Sequence, residues 1–170
     1  DAEALFRDGE KMQLQYNVQN TQRAIGTRLS SMITRKFGMT SLQPGHVTVR
    51  LRGSAGQSLG AWAVQGLKLE VFGEANDYVG KGLSGGIIVV RPMTASPLSS
   101  HDNSIVGNTV LYGAISGELF AAGQAGERFA VRNSGALTVV EGCGANGCEY
   151  MTGGIAVILG RVGDNFAAGM

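Results

Sequence analysis

Glycine recurs along this chain at a spacing that no single helix or strand requires. Gly53, Gly56 and Gly60 stand in the pattern G-x-x-G-x-x-x-G, and the spacing returns at Gly123/Gly126/Ala130, Gly144/Gly147/Met151 and Gly160/Gly163/Ala167, with an Asn-centred variant at Gly73/Asn76/Gly80. Soon after each central position a further glycine opens a short apolar run, as in Gly66-Leu-Lys-Leu-Glu-Val-Phe, Gly86-Ile-Ile-Val-Val, Gly135-Ala-Leu-Thr-Val-Val and Gly154-Ile-Ala-Val-Ile-Leu. Taking Gly56, Asn76, Gly107, Gly126, Gly147 and Gly163 as equivalent centres, subtraction gives intervals of 20, 31, 19, 21 and 16. The long interval holds an insertion at Arg91 to Asp102, where Pro92, Pro97 and a cluster of serines mark an exposed loop.

A unit of this length, repeated, defines the architecture. A strand of four to six residues cannot bury its apolar face alone, and its backbone donors and acceptors need partners. Units read as turn, short strand, turn, strand can satisfy each other when laid side by side. The expectation is an all-β fold, a single-stranded right-handed parallel β-helix (solenoid), over residues 46–170. Gly56, Gly126 and Gly147 are then expected at corners with positive φ. Residues 1–45 form a lead-in. Ile25, Leu29, Met32, Ile33 and Phe37 make a helical stripe between a cap at Asn20 or Thr21 and Gly38, which predicts a helix at about 21–37. Leu14, Tyr16 and Val18 alternate with polar residues ahead of it, as in a short strand or extended linker.

The remaining signals exclude more than they propose. Charged residues are 16% of the chain and the formal net charge is +1, with no basic stripe, so nucleic acid is not an expected partner. Apolar runs fall far short of the ~20 residues that span a bilayer. Cys143 and Cys148, the two cysteines, are too few for a closed zinc or iron–sulfur site and read as reduced core thiols of a cytoplasmic protein. The start at Asp1, without Met or a signal pattern, reads as a piece of a longer protein. Gly80-Lys-Gly82-Leu-Ser-Gly85 matches a dinucleotide-binding string, but an apolar strand run follows it where a helix is needed. Ser100-His101-Asp102 names the residue types of a hydrolase triad, yet consecutive residues do not converge. His46 and His101 read as solvated, and Trp62, Phe72, Phe120, Phe129 and Phe166 as core. No catalytic, cofactor-binding or metal-ligating residue is expected in the chain.

The stretches Gly53-Ser-Ala-Gly-Gln-Ser, Ala75-Asn-Asp-Tyr-Val-Gly-Lys-Gly-Leu-Ser-Gly-Gly and Gly123-Gln-Ala-Gly-Glu-Arg-Phe-Ala-Val-Arg-Asn-Ser-Gly resemble the glycine-repeat (GXGXG) domain that closes the large subunit of glutamate synthase. The domain also recurs in a subunit of formylmethanofuran dehydrogenase. The resemblance runs over nearly the whole chain and takes in Val18-Gln-Asn-Thr-Gln-Arg-Ala-Ile-Gly. It implies a non-catalytic structural domain in an enzyme that makes L-glutamate from L-glutamine and 2-oxoglutarate, with FMN and a [3Fe–4S] cluster held elsewhere in the parent. Implied partners are the amidotransferase and FMN-binding synthase domains of the same chain and a small reductase subunit; the electron donor, NADPH, NADH or ferredoxin, is left open. In that family further repeats follow the point where this chain ends, at Met170. Two other readings are a scaffold subunit of a molybdenum or tungsten enzyme and a carbohydrate-active β-helix. The second needs acidic clusters, and the acids here are dispersed.

Overall fold

The computed structural model describes residues 2–170. Its strands are β1 (Met12–Val18), β2 (Val47–Ala55), β3 (Leu67–Ala75), β4 (Ser84–Arg91), β5 (Ser104–Val106), β6 (Ser116–Ala121), β7 (Gln124–Ala125), β8 (Ser134–Val140) and β9 (Gly153–Ile158). All belong to one nine-stranded sheet with the main order β1-β2-β3-β4-β6-β8-β9 and parallel pairing throughout. β1 and β9 are its open ends. Two helices, α1 (Glu3–Asp8) and α2 (Thr27–Phe37), complete the regular structure with one 3₁₀ turn at Ser100–Asp102.

This corrects the expected β-helix. The structure is an open parallel sheet with few helices, α/β-like, because a full second strand does not form in each unit: among the described residues the separate second strands, β5 and β7, are three and two residues long. In its place lie turn residues in which every other φ is positive: Ser58, Gly60 and Trp62; Tyr78, Gly80 and Gly82; Thr109, Leu111 and Gly113; Arg128, Ala130 and Arg132; Asn146, Cys148 and Tyr150; Asn165, Ala167 and Gly169. Alternation of right- and left-handed residues cannot continue a strand, which needs extended backbone at each residue. Backbone bonds between units hold these turns instead. Ser58 and Trp62 donate to the carbonyls of Asp77 and Lys81 (2.9 Å each), and Gly80 donates back to Leu59 (2.8 Å). The same three-bond arrangement links Tyr78 and Gly82 to Asn108 and Tyr112, and Arg128 and Arg132 to Ala145 and Glu149.

The register of these bonds also corrects the repeat. Ala55, Ala75, Val106, Ala125, Cys143 and Val162 pair in succession. The residues that follow them, Gly56, Asn76, Gly107, Gly126, Gly144 and Gly163, are the equivalent positions, so the fifth centre is Gly144 and not Gly147. None of these glycines has positive φ. They lack a side chain for another reason: a Cβ at Gly56 would lie 2.5 Å from the carbonyl oxygens of Asn20 and Gln22, and one at Gly126 would strike Asn108 Oδ1 and the Gly107 carbonyl.

The core lies between the sheet and the turn layer. Val49, Leu69, Ile88, Leu119, Thr138 and Ala156 pair in register along one row. Leu59, Val79, Val110 and Phe129 meet that row from the turn layer within one apolar cluster. At the β1 end, α2 begins at Thr27, whose hydroxyl donates to the Ala61 carbonyl (2.9 Å). The helix buries Ile33, and Phe37 stacks on Phe6 of α1 at 6.1 Å between centroids. Residues 21–26, expected as the first helical turn, instead pair with the next unit: Ala24 donates to Gln57, and Gly60 to Ile25. The insertion is the loop between β4 and β5.

Three substitutions test these packing and backbone constraints. Gly56→Ala forces a methyl against two backbone carbonyls and is expected to cost about 1–3 kcal/mol. Ser58→Gly releases a left-handed residue and is expected to be neutral or to stabilise by up to ~1 kcal/mol; denaturant unfolding of both variants checks the order. Thr138 is fully buried in the apolar row and its Oγ1 has no hydrogen-bond partner. Thr138→Val keeps the shape and removes the unpaired hydroxyl, so its unfolding midpoint should rise by the equivalent of about 1 kcal/mol.

Candidate functional site

The residues weighed from the sequence are dispersed. Gly80 and Gly82 lie in the turn layer and Gly85 in β4, so the glycine string opens a strand rather than a helix. His101 Nε2 lies 3.4 Å from Asp102 Oδ2 with both side chains about two-thirds exposed (67% and 68%), and among the described residues no hydrogen bond joins Ser100 to them. His46, expected to be solvated, donates from Nε2 to the Gly9 carbonyl (2.9 Å) and ties the α1–β1 connection to β2.

Neither cofactor of the resembling enzymes fits the groups present. A [3Fe–4S] cluster takes thiolate ligands, and this chain holds two cysteines, both free and buried. Burial pushes the Cys148 thiol up to about 11, with Cys143 adding to the effect. Burial raises Cys143 as well, against a smaller lowering by the Gly163 amide. Both therefore stay protonated near neutral pH. An FMN phosphate needs converging amides at a helix start or a basic pocket, and the one string of suitable spacing runs into β4.

The outer face of the turn layer is different. The middle left-handed residue of a turn is buried at Leu111, Ala130 and Cys148, whereas the flanking left-handed positions Trp62, Tyr78 and Tyr150 carry large exposed side chains, as does Tyr112 beside Gly113. Trp62 is 53% exposed, with Tyr78 and Tyr112 at 40% each and Tyr150 at 56%. Lys81 Nζ sits 4.8 Å from the Trp62 ring centroid and 5.7 Å from that of Tyr78, and the Arg132 guanidinium lies 6.0 Å from the Tyr150 ring. These are cation–π distances. Trp62, Lys81, Tyr112, Arg132 and Tyr150 fall on successive units joined by the bonds Trp62→Lys81, Gly82→Tyr112, Gly113→Val131 and Arg132→Glu149. At strand spacing of about 4.8 Å the stripe runs ~19 Å.

Sequence reasoning assigned Trp62 to the core and passed over the others. A signal was present: counted from the corrected centres, Trp62, Gly82, Gly113, Arg132, Tyr150 and Gly169 are all the sixth residue on. Placing the fifth centre at Gly147 breaks that column at Tyr150.

The GXGXG motif family model matches residues 1–170. The chain belongs to that family. It is 81% identical over 160 residues to a glutamate synthase [NADPH] large chain of Azospirillum brasilense, covering 94% of this chain and 11% of the relative. Identity is 50% over 170 residues to a glutamate synthase [NADH] of Schizosaccharomyces pombe (100% and 8%). It is 51% over 165 residues to a glutamate synthase [NADPH] large chain of Bacillus subtilis (97% and 11%). The chain thus spans about a tenth of the length of these relatives. Among the described residues of this GXGXG chain, no helix is long and apolar enough to cross a membrane.

The cysteine environment gives a direct test. Because folding raises both thiol pKa values, their contribution to stability is intact below the ordinary value of 9.0 and is lost as pH climbs above it, for Cys148 through about 11. At pH 8 a thiol reagent should leave both cysteines unmodified in the folded protein and label both in denaturant, read by mass spectrometry.

Proposed function

We propose that this chain is the non-catalytic framework domain of a glutamate synthase large chain and holds a glutaminase domain and an FMN-dependent synthase domain in register. The parent then makes L-glutamate from L-glutamine and 2-oxoglutarate in the cytoplasm, with a small reductase subunit as its partner. FMN and a [3Fe–4S] cluster belong to its other domains. The observation that carries the reading is the 81% identity to a glutamate synthase [NADPH] large chain over 94% of this chain. The chemistry of the described residues supports it: two protonated, buried thiols and an exposed His101–Asp102 pair with no bonded hydroxyl suit a framework more than a reaction centre. The relative matched at 81% is named for NADPH, which favours NADPH as the electron donor of the parent, although relatives named for NADPH, NADH and ferredoxin all fall together at 50–53%.

A framework that sets register acts on coupling before it acts on either half-reaction. In the intact enzyme, Gly126→Val should distort one unit, because its Cβ meets the Gly107 carbonyl at 3.0 Å. Glutaminase activity should stay within about twofold of wild type while glutamine-dependent glutamate formation falls at least ~10-fold, a change of ~1.4 kcal/mol in coupling. Ammonia-dependent synthesis should fall less. Proportional loss of all three rates with the folded fraction would reduce the domain to a stabilising appendage.

A further inference from the structure

We infer that the stripe formed by Trp62, Lys81, Tyr112, Arg132 and Tyr150 is a docking surface, and that it takes a carboxylate-bearing surface from another domain of the same polypeptide. The inference rests on the framework reading above and names the face and chemistry of one contact.

Three observations lead to it. Trp62, Arg132 and Tyr150 have φ of 54°, 57° and 52°, a conformation that is rare for bulky residues and strained wherever it persists. Glycine occupies the same column at Gly82, Gly113 and Gly169, so the ladder itself does not require an aromatic or an arginine there. The side chains are not consumed by the core either, since Trp62 and Tyr150 are more than half exposed. Exposed Trp, Tyr and Arg grouped on one face are the residue types that dominate binding energy at protein interfaces.

The charges indicate what the partner brings. Among the described residues, none of the ion pairs involves Lys81, Arg128 or Arg132. Of the acids beside them, Asp77 already accepts the Asn108 amide (2.8 Å) and Glu149 accepts from Asn165 Nδ2 (2.8 Å). The face therefore offers unpaired cations set on aromatic rings. A second copy of the stripe is a poor occupant, because a two-fold contact would set these cations against their own kind. A carboxylate surface is complementary. The relatives supply about nine-tenths of their length beyond the region matched here, which is ample chain to provide it.

The test uses the intact wild-type enzyme, so no variant need fold. A zero-length carbodiimide should couple Lys81 Nζ to an Asp or Glu outside this domain in the same chain. Acetylation of Lys81 should be at least tenfold slower than in the urea-denatured enzyme. Labelling of Lys81 within threefold of the denatured rate would overturn the docking surface. Protection without such a cross-link would overturn the carboxylate partner, and a cross-link to this domain of a second copy would overturn the intramolecular one. If Lys81 cross-links as expected while Gly126→Val leaves every rate unchanged, the contact stands and the register-holding reading falls; the converse result separates them the other way.

Discussion

Left-handed backbone at every second residue of the turn layer is the constraint on which the rest depends. Among the described residues fourteen non-glycine positions have positive φ. At a cost of about 1–2 kcal/mol each, that strain is of the same order as the whole net stability of a domain, roughly 5–15 kcal/mol. No single unit could hold such a conformation. It persists because the left-handed residues of the turn layer from Ser58 to Tyr150 turn their amides toward neighbouring units, where carbonyls wait at 2.6–3.0 Å. The strain is local and the compensation comes only from adjacent units, so these turns exist only as part of an array.

The sheet supplies the partner to that ladder. Its parallel register places Val49, Leu69, Ile88 and Leu119 in one row, and the left-handed turns face the row with Leu59, Val79, Val110 and Phe129. Glycine is what lets the layers approach. At Gly60 a Cβ would come 2.5 Å from Ile88 Cδ1, and at Gly80 it would meet Leu111 and Ile88 at 3.0 and 3.3 Å. Leu111, Ala130, Cys148 and Ala167 stand at the same column later in the chain, with φ of 60°, 55°, 58° and 59°, so the column takes a side chain where the space allows one.

The strands were legible because period-two alternation of apolar residues says which face is buried, and the insertion because prolines cluster in it. The turn layer was not legible, for a physical reason. Glycine lacks a Cβ both where φ is positive, as at Gly60, and where a backbone passes too close, as at Gly56, and composition does not distinguish the two. The left-handed positions themselves carry Trp62, Tyr78, Thr109 and Arg128, residue types that avoid that conformation when local propensity decides. Here inter-unit hydrogen bonding decides. Apolar runs alternating with glycine were consistent with a second strand per unit, and only the φ values overturn the β-helix that follows from it. The same ambiguity displaced the fifth centre to Gly147, which is buried against Cys143 Sγ and Phe166 and is a core contact rather than a corner.

On the outer face the ladder imposes a rule of its own. A left-handed residue leans its side chain toward the next unit, so a large residue there needs space at the equivalent position one unit on. Trp62 is followed by Gly82, where a Cβ would lie 2.5 Å from the indole Nε1, and Tyr150 by Gly169, where it would lie 2.6 Å from the ring. Arg132 is followed by Tyr150 without a glycine, and there the guanidinium lies 6.0 Å from the ring centroid. Gly113, by contrast, has nothing within 4 Å of its would-be Cβ; its conformation alone accounts for the glycine. Sterics therefore explain why Gly82 and Gly169 are small, but they leave the large residues unexplained, since glycine at Trp62 or Tyr150 would satisfy the ladder with less strain. Within the ladder the cations Lys81 and Arg132 hold the Trp62 and Tyr150 rings, and the proposed docking surface is a further reason for large side chains to stand on that face.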